Sequence, residues 1–330
     1  MAKTWNAEQI NEFMRTYQGL CVLGAAAELE LFSRLGTGSA TAAELARTLP
    51  ADERALAMLL DVLAALDFLV KTGNRYACAP GVAAALSPGQ GSVLAMSQHQ
   101  MNCLRRWSNL ALVVKTGQPS ENHASIRGEA GDQQSFIEAM NDISGPVAET
   151  VVRDIANVPW THIIDIGGGS GTYTLAWLAK NKTGRATLFD LPHVIPMARA
   201  RLEKVGELAR VSLVAGDFTK DELPRGADLA WVSAIIHQQS REMNRALYAR
   251  IARALVPGGR IMIRDIIMED SRTAPIGGAL FAINMLAVTA SGGTFTLAEI
   301  RADLESAGFA DVKQIRPDAW MSAVVSARLK

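Results

Sequence analysis

The chain has 330 residues, with 33 basic and 33 acidic side chains. A hydrophobic content of 49% with 20% charged residues is typical of a globular protein and excludes a disordered or fibrous one. This length allows two domains, each with its own core. The balanced charge gives no indication of nucleic acid or an anionic membrane as a partner.

The cysteines and the first residues bear on the cellular compartment. Cys21, Cys78 and Cys103 are far apart and odd in number, so they form no metal-ligand spacing and indicate a reducing environment. The first nine residues are polar and lack the apolar core of a signal peptide. The strongest apolar run, 55–70, is interrupted by acids and is too short to span a membrane. We therefore expect a cytoplasmic protein without a membrane anchor.

The N-terminal third is dominated by Ala, Leu and Glu at helical spacing. Residues 41–47 and 54–68 are predicted helices joined by a turn, and 70–76 are a predicted two-stranded wing around Gly73-Asn74. This is the outline of a winged helix. A DNA-binding role would need basic residues on the second helix, which instead carries Asp61 and Asp67. Packing against another protein is therefore favoured, and a DNA-binding regulator is kept as a remote alternative.

From Thr161 onward, short β runs alternate with helical stretches, which is the pattern of a parallel sheet flanked by helices. The predicted class is therefore α/β, with a Rossmann-like domain after the helical one. Two segments at the end of the chain resemble an antiparallel pair that closes the sheet. The predicted strands are 162–166, 186–190, 210–214, 228–232 and 259–265, followed by 312–315 and 320–329.

The most informative motif is Asp165-Ile-Gly-Gly-Gly-Ser-Gly171, which directly follows the apolar pair Ile163-Ile164. It predicts a strand, a glycine-rich turn and a helix that begins near Thr172. Glycines let the backbone turn sharply and approach a ligand closely. The helix start offers unpaired N–H groups to an anion.

Two acids follow at the ends of the next strands. Asp190 stands about 20 residues after the glycines, where an acid would hold a ribose diol, and Asp217-Phe218 suits an adenine. A dinucleotide site requires glycine at the sixth position of the loop, but this position is Thr172. An NAD-dependent oxidoreductase is therefore disfavoured. The pattern is similar to the S-adenosylmethionine site of class I methyltransferases.

Together these residues resemble the small-molecule O-methyltransferases of the caffeic-acid and acetylserotonin type. The resemblance covers nearly the whole chain and includes Phe136-Ile-Glu-Ala-Met140-Asn-Asp-Ile-Ser144, which is similar to a linker-helix motif of that family. It implies a homodimer formed through a winged-helix domain, 1–100. It also implies a methyltransferase domain, 101–330, that includes a helical substrate-lining segment, 101–155.

The resemblance implies S-adenosylmethionine as methyl donor, S-adenosylhomocysteine as product, and no metal. The donor site that it implies consists of the glycine loop, the two acids and neighbouring residues. These are Asp165, Gly167, Gly168, Gly169, Gly171, Asp190, Leu191, Gly216, Asp217, Phe218, Ser233 and Ser144.

The position of the family's general base is His237, and Asp265 is its implied orienting partner. A histidine titrates near neutrality and can take the proton of a hydroxyl group. The sequence departs from the family pattern at Gln238, where an acid usually follows the base. It departs again at Thr294, which aligns with a second orienting glutamate, and Asp265 is itself one methylene shorter than a glutamate.

The implied acceptor pocket is apolar and suits a flat or aromatic small molecule. Its lining candidates are Met96, His99, Met101, Trp107, Met140, Phe281, Asn284 and Met285. We therefore expect a methyltransferase that acts on a hydroxyl of a small hydrophobic or aromatic metabolite. The departures from the pattern leave open an enzyme of the same fold that methylates carbon or performs non-methylating chemistry.

Overall fold

A computed structural model describes residues 3–49, 51–89 and 91–330. They form two compact units that do not divide at one point of the chain. The first unit comprises the residues up to Ser108 together with Asn122–Asp142. The second comprises Asn109–Glu121 and Ile143–Lys330. The domain boundary predicted after residue 100 stays a prediction.

The first unit is mostly helical and contains a small antiparallel sheet of strand order β1-β3-β2. Its elements are α1 (Ala7–Arg15), α2 (Tyr17–Glu28), α3 (Leu31–Leu35), β1 (Ser39–Thr41), α4 (Ala42–Thr48), α5 (Glu53–Ala65), β2 (Leu69–Thr72), β3 (Arg75–Cys78), α6 (Val82–Ala85) and α7 (Leu94–Trp107).

Local sequence explains the predicted helix, turn and helix. Thr41 caps α4 by accepting a hydrogen bond from the Glu44 N–H, and the Glu44 side chain accepts one in return. Asp52 caps α5. The wing is the β2–β3 hairpin, in which Gly73 adopts a φ of +61° at the turn. The predicted winged helix is therefore confirmed.

The second unit alternates strands and helices, as the sequence predicts. Its elements are α8 (Leu110–Thr116), α9 (Gly128–Ile155, whose first part belongs to the first unit), β4 (His162–Ile166), α10 (Thr172–Lys180), β5 (Arg185–Asp190), α11 (Ile195–Lys204), β6 (Val211–Ala215), β7 (Ala227–Ser233), α12 (Arg241–Ala254), β8 (Leu255–Asp265), β9 (Ile267–Met268), α13 (Ile276–Val288), β10 (Phe295–Thr296), α14 (Leu297–Ser306), β11 (Phe309–Arg316) and β12 (Ala323–Leu329).

The large sheet has the strand order β11-β12-β8-β7-β4-β5-β6. Strands β6, β5, β4, β7 and β8 are parallel, whereas β12 is antiparallel to both of its neighbours. The chain runs from β4 to β5 and β6 on one side, then crosses to β7 and β8 on the other. The carboxyl end of β4 is therefore a topological switch point, where sheets of this kind bind ligands.

Apolar residues cover both faces of this sheet. On the face that carries α10, Trp177 and Trp231 are fully buried, and their ring centroids are 5.5 Å apart. On the opposite face, Leu247 and Ile251 of α12 pack with Ile263 of β8. Each such side chain stabilises the fold by roughly 1.5–3 kcal/mol through removal from water. These two layers hold the strand ends in fixed positions.

Two expectations about strands were wrong in detail. The strand predicted at 259–265 is β8, which begins at Leu255 and therefore includes the Pro257-Gly258-Gly259 segment. Leu255 pairs with Ala227 and Arg260 pairs with Leu229, so residues 256–259 bulge out between two regular stretches. The last strand begins at Ala323 rather than residue 320, which places Trp320 in the preceding loop.

Candidate functional site

The glycine loop joins the carboxyl end of β4 to the first turn of α10, as predicted. Gly167 continues the edge of the sheet by donating its N–H to the Phe189 carbonyl at 2.8 Å. Gly167, Gly169 and Gly171 have φ angles of +66°, +57° and +83°. Side chains rarely tolerate this left-handed conformation, so the turn requires glycine at these positions.

Different neighbours explain the glycines individually. A Cβ at Gly167 would lie 2.5 Å from Ile235 Cδ1, and a Cβ at Gly168 would lie 2.7 Å from Leu188 Cγ. A Cβ at Gly169 would meet no atom within 4 Å. The first two glycines therefore let the loop lie against the protein. Gly169 faces open space that a ligand can occupy.

Asp190, at the end of β5, is linked directly to this loop. Its carboxylate accepts hydrogen bonds from the Gly169 N–H at 2.7 Å and the Leu191 N–H at 2.7 Å. The residue is 8% exposed. A carboxylate has about four acceptor sites, so two remain for hydroxyl groups of a ligand. The acid and the loop therefore form one rigid unit.

Asp165 lies beneath the loop. It is 2% exposed, and its carboxylate accepts a hydrogen bond from Thr174 Oγ1 at 2.6 Å. Burial raises the pKa of Asp165 to about 7, and the nearby Asp190 charge adds to this rise. In the structure, Asp165 thus ties the strand to the first turn of α10. Contact between Asp165 and a donor stays a prediction.

The third predicted strand end also reaches the loop. Gly216 donates its N–H to the Asp190 carbonyl at 2.9 Å, and a Cβ on it would lie 2.4 Å from the Phe189 ring. The Asp217 carboxylate accepts hydrogen bonds from Thr219, which lower its pKa. The Phe218 ring lies near Gly167, 3.6 Å from the position of a built Cβ.

His237 and Asp265, the predicted base and its partner, are in direct contact. His237 Nδ1 lies 2.9 Å and 3.0 Å from the two carboxylate oxygens of Asp265. Both residues are buried, with exposures of 6% and 1%. Asp265 ends β8, and His237 lies in the 3-10 turn that follows β7. Although it is one methylene shorter than glutamate, aspartate therefore reaches the ring.

The backbone around His237 is held by residues that sequence reasoning missed. The His237 carbonyl accepts a hydrogen bond from the Gly293 N–H at 2.9 Å. A Cβ at Gly292 would lie 2.4 Å from the same carbonyl oxygen. The buried Asn244 amide donates to the Ile236 carbonyl at 2.9 Å. The only signal in the sequence was the pair Gly292-Gly293, whose distant partner is invisible without the fold.

Aromatic rings surround the histidine on one side. The Phe281 ring packs edge-on against the His237 ring, with centroids 4.9 Å apart, and Trp320 packs against Phe281 at 6.1 Å. Phe281 was predicted to line the acceptor pocket. Trp320 was missed, because it was predicted to begin the last strand.

The remaining predicted lining residues occupy several elements. In the second unit, Asn284 and Met285 lie on α13, and Met285 is buried. In the first unit, Met96, His99, Met101 and Trp107 lie on α7, and Met140 lies on α9. Met101 packs on α2, because a Cβ at Gly24 would lie 2.0 Å from its sulfur. His99 packs against Phe136 of α9, with ring centroids 5.3 Å apart. A lining role for these residues stays a prediction.

The other positions named from the sequence are also placed. Ser233, at the end of β7, accepts a hydrogen bond from Arg264 at 3.1 Å, and Ser144 is half-buried on α9. Gln238 is exposed and donates to the Ala234 carbonyl rather than to the histidine. Thr294 is 5% exposed. Asp265 is therefore the carboxylate that contacts the histidine.

These residues fit S-adenosylmethionine. The open space at Gly169 adjoins a carboxylate with free acceptor sites for ribose hydroxyls, and Phe218 offers an apolar surface near the same loop. Among residues 3–49, 51–89 and 91–330, no group of three or more His, Cys, Asp or Glu side chains could hold a metal ion. No helix in the described part of the chain has the length and apolarity needed to cross a membrane.

Comparisons with known proteins agree with this geometry. Residues 111–310 match the O-methyltransferase domain, and residues 12–85 match the O-methyltransferase dimerisation domain. The 3-hydroxy-5-methyl-1-naphthoate 3-O-methyltransferase of Streptomyces sahachiroi is 29% identical over 303 residues, which cover 89% of this chain and 87% of that protein. The N,N-dimethyltransferase OxyT of Streptomyces rimosus is 28% identical over 319 residues, which cover 94% of this chain and 92% of that protein.

Among solved structures, human N-acetylserotonin methyltransferase in complex with S-adenosylmethionine has the same fold. Its superposition on this chain gives a TM-score of 0.80 at 23% sequence identity and covers 100% of this chain and 99% of that one. The O-methyltransferase domain match spans more than half of the chain. The chain therefore belongs to the O-methyltransferase family, and it is an S-adenosylmethionine-dependent enzyme that methylates hydroxyl groups of small molecules.

Proposed function

We propose that the acceptor is a small aromatic molecule with a phenolic hydroxyl group, and that His237 accepts the proton of this hydroxyl as the methyl group is transferred. The observation that carries the proposal is the buried contact between His237 Nδ1 and Asp265 at 2.9 Å. Both residues stand at the carboxyl ends of their strands, which is the ligand edge of such a sheet.

The contact with Asp265 determines what the histidine can do. A carboxylate beside Nδ1 keeps the ring proton on that nitrogen and leaves Nε2 as a proton acceptor. S-Adenosylmethionine, when bound, supplies a methyl group that is already activated on a positively charged sulfur. The protein therefore has two remaining tasks, which are to align the hydroxyl group and to take its proton.

The surroundings of His237 favour an aromatic acceptor. The Phe281 ring covers one side of the histidine, and Trp320 extends the aromatic surface beyond it. Aromatic rings pack favourably edge to face or offset against one another. The name of the S. sahachiroi relative, whose substrate is a hydroxynaphthoate, agrees with this chemistry.

We assign the donor site to the strand ends on the other side of the switch point. Asp190 would accept hydrogen bonds from the ribose hydroxyls, Phe218 would contact the adenine, and Gly169 would lie against the ligand. The support is the link between Asp190 and Gly169 at 2.7 Å and the open space at Gly169. The remaining donor-site residues predicted from the sequence belong to the same proposal.

We infer that two copies of the chain associate through the N-terminal helices. None of the residues of α1 is buried. An apolar stripe at helical spacing runs along α1 and into α2, with exposures between 42% and 65%, and consists of Ile10, Phe13, Met14, Tyr17 and Leu20. Such a stripe indicates an interface. The match of residues 12–85 to the dimerisation domain favours a second copy as its partner.

A labelling experiment tests the acceptor class. The protein is incubated with methyl-labelled S-adenosylmethionine and a panel of hydroxynaphthoates and other phenols, each paired with its own O-methyl ether. We expect label in a phenol and none in the matching ether. Aromatic amines form a second panel, because the S. rimosus relative is named as an N,N-dimethyltransferase. Label in amines but in no phenol would contradict the proposal.

A further inference from the structure

Arg264 carries a positive charge in the interior of the second unit. Its side chain lies on β8, one residue before Asp265, and the residue is 2% exposed. Its guanidinium lies over the Tyr173 ring of α10, 5.0 Å from the centroid. Burial lowers the pKa of Arg264, yet a guanidinium stays protonated in proteins. The charge is therefore present and desolvated.

The described residues do not satisfy this side chain. Its hydrogen bond among them is the one from Nη1 to Ser233 Oγ at 3.1 Å, and Nε has no partner. The nearby hydroxyl of Tyr173 is also buried without a partner. Arg316, by contrast, forms ion pairs with Asp154 at 3.0 Å and Asp318 at 3.2 Å. Asp265 and Asp318 attract this charge, but neither forms an ion pair with Arg264 among the described residues. A buried charge without a direct ion pair is costly, which indicates that an anion completes this site.

The position of Arg264 relative to the donor site suggests which anion this is. Ile166 of β4 pairs with Val232 of β7, and Ser233 of β7 pairs with Arg264 of β8. The residue after Ile166 is Gly167, so Gly167, Ser233 and Arg264 lie side by side at the carboxyl edge of the sheet. Asp190 lies on β5, on the other side of β4. With adjacent strands about 4.8 Å apart, β8 is roughly 14 Å from β5 along this edge. In the proposed donor site the adenine lies at Phe218, after β6, and the ribose lies at β5. The amino-acid end of the donor therefore extends the other way, toward β7 and β8.

We propose that Arg264 binds the carboxylate of the amino-acid part of S-adenosylmethionine. This inference rests on the proposed donor site. Ser233, which accepts the Arg264 hydrogen bond, is partly exposed, so this pair stands at the ligand edge of the sheet. A guanidinium is suited to a carboxylate because it can donate two parallel hydrogen bonds.

The acceptor is a weaker candidate for this charge. His237 contacts Asp265, whereas Arg264 contacts Tyr173 on the face that carries α10. Successive residues of a strand point to opposite faces of a sheet. The Arg264 side chain therefore lies on the sheet face opposite to the one on which the proposed base stands.

Calorimetric binding measurements with two ligands test the proposal. S-Adenosylhomocysteine has the amino-acid carboxylate, whereas 5′-methylthioadenosine has the same nucleoside and thioether without that group. We expect Arg264→Met to weaken binding of S-adenosylhomocysteine by about 10- to 100-fold, as for a lost charged hydrogen bond. Binding of 5′-methylthioadenosine should stay within about a factor of three.

Arg260→Met is the matched control, because Arg260 lies in the middle of the same strand, away from the ligand edge, and donates to Ser326 Oγ at 3.2 Å. It should change neither affinity. Equal loss of both ligands in Arg264→Met would indicate a structural role and overturn the proposal, as would no loss of either.

If Arg264→Met does not fold, the ratio of the two affinities is measured in Arg264→Lys. An ammonium group cannot form the paired hydrogen bonds of a guanidinium. A ratio unchanged from the wild type would then overturn the proposal. Failure of the wild-type protein to bind either ligand would instead contradict the proposed donor site itself.

Discussion

Arg264 and Asp265 are consecutive in β8, yet their side chains meet different partners on opposite faces of the sheet. The Asp265 carboxylate contacts His237 Nδ1 at 2.9 Å, whereas the Arg264 guanidinium lies over Tyr173. This arrangement follows from the alternation of side chains along a strand. One strand end thereby supplies a negative group to the proposed acceptor side and a positive group to the proposed donor side.

The first prediction concerns the orientation of the histidine. Asp265→Asn replaces a carboxylate by an amide that can donate a hydrogen bond to Nδ1 and so favour the opposite tautomer. We expect kcat for a phenolic acceptor to fall by about 100-fold or more, which is the usual contribution of a general base. Affinity for S-adenosylhomocysteine should stay close to that of the wild type, measured by calorimetry.

Asp270→Asn is the control for that variant, since Asp270 is an exposed acid close to the end of the same strand. Its kinetics should be unchanged. Full activity of Asp265→Asn would show that the carboxylate does not orient the base.

The second prediction concerns Asp190. In Asp190→Asn, the amide nitrogen cannot accept the hydrogen bonds that Gly169 and Leu191 donate to the carboxylate. Loss of charged hydrogen bonds predicts binding of S-adenosylhomocysteine weaker by about 10- to 100-fold. A titration by calorimetry measures this change. Unaltered affinity would remove Asp190 from the proposed donor site.

The third prediction concerns the pH dependence of stability. Because burial raises the pKa of Asp165 to about 7 from 3.8, the folded protein binds more protons than the unfolded chain between these values. This group's contribution to the free energy of unfolding is therefore full at low pH and falls as the pH rises toward 7. Asp165→Asn removes this titration while it keeps an acceptor for Thr174.

We therefore expect the difference in free energy of unfolding between Asp165→Asn and the wild type to change by roughly 3 kcal/mol, in favour of the variant, as the pH rises from 5 to 8. Urea unfolding of both proteins at the two pH values measures the change. Other titrating groups cancel in this comparison, because both proteins share them. A difference between the two proteins that is the same at both pH values would be inconsistent with a raised pKa.

The fourth prediction concerns association. Phe13→Glu places a charge in the middle of the apolar stripe on α1, where Phe13 is 63% exposed. Burying an unpaired charge in an interface is costly, so we expect dissociation to the single chain, seen by sedimentation. Val205→Glu, at a 51% exposed position in the second unit, should leave the association state unchanged. A wild-type protein that sediments as a single chain would contradict the proposed dimer.

The fold was predictable where local signals were strong. The five parallel strands are short apolar runs flanked by turn residues, and the structure places them within four residues of the predicted bounds. The misplaced start of β8 has a clear cause. Pro257-Gly258-Gly259 has the composition of a turn, but it forms a bulge, and Gly258 adopts a φ of +74° there.

The candidate site was predictable only in part. Glycines and acids at strand ends are visible in the sequence because their spacing reflects the fold. The contact of Gly293 with the His237 carbonyl joins segments far apart in the chain, so no local pattern reveals it. The Asn244 contact spans only eight residues, but it depends on how α12 packs against the turn that carries His237. The same holds for Arg264, because an arginine inside an apolar strand has no predictable partner until the neighbouring helix is placed.

The close approach of Gly292 to the His237 carbonyl has a practical consequence for anyone redesigning acceptor preference. Because a Cβ there would lie only 2.4 Å from the carbonyl oxygen, any substitution would have to displace the backbone that carries the histidine. Residue 292 thus acts as a spacer that mutagenesis libraries should leave untouched, whereas Phe281 and Trp320 form the aromatic surface beside the histidine and are the positions to vary. Acceptor selectivity can then be varied at positions 281 and 320, while an unchanged Gly292 preserves the position of the proposed base.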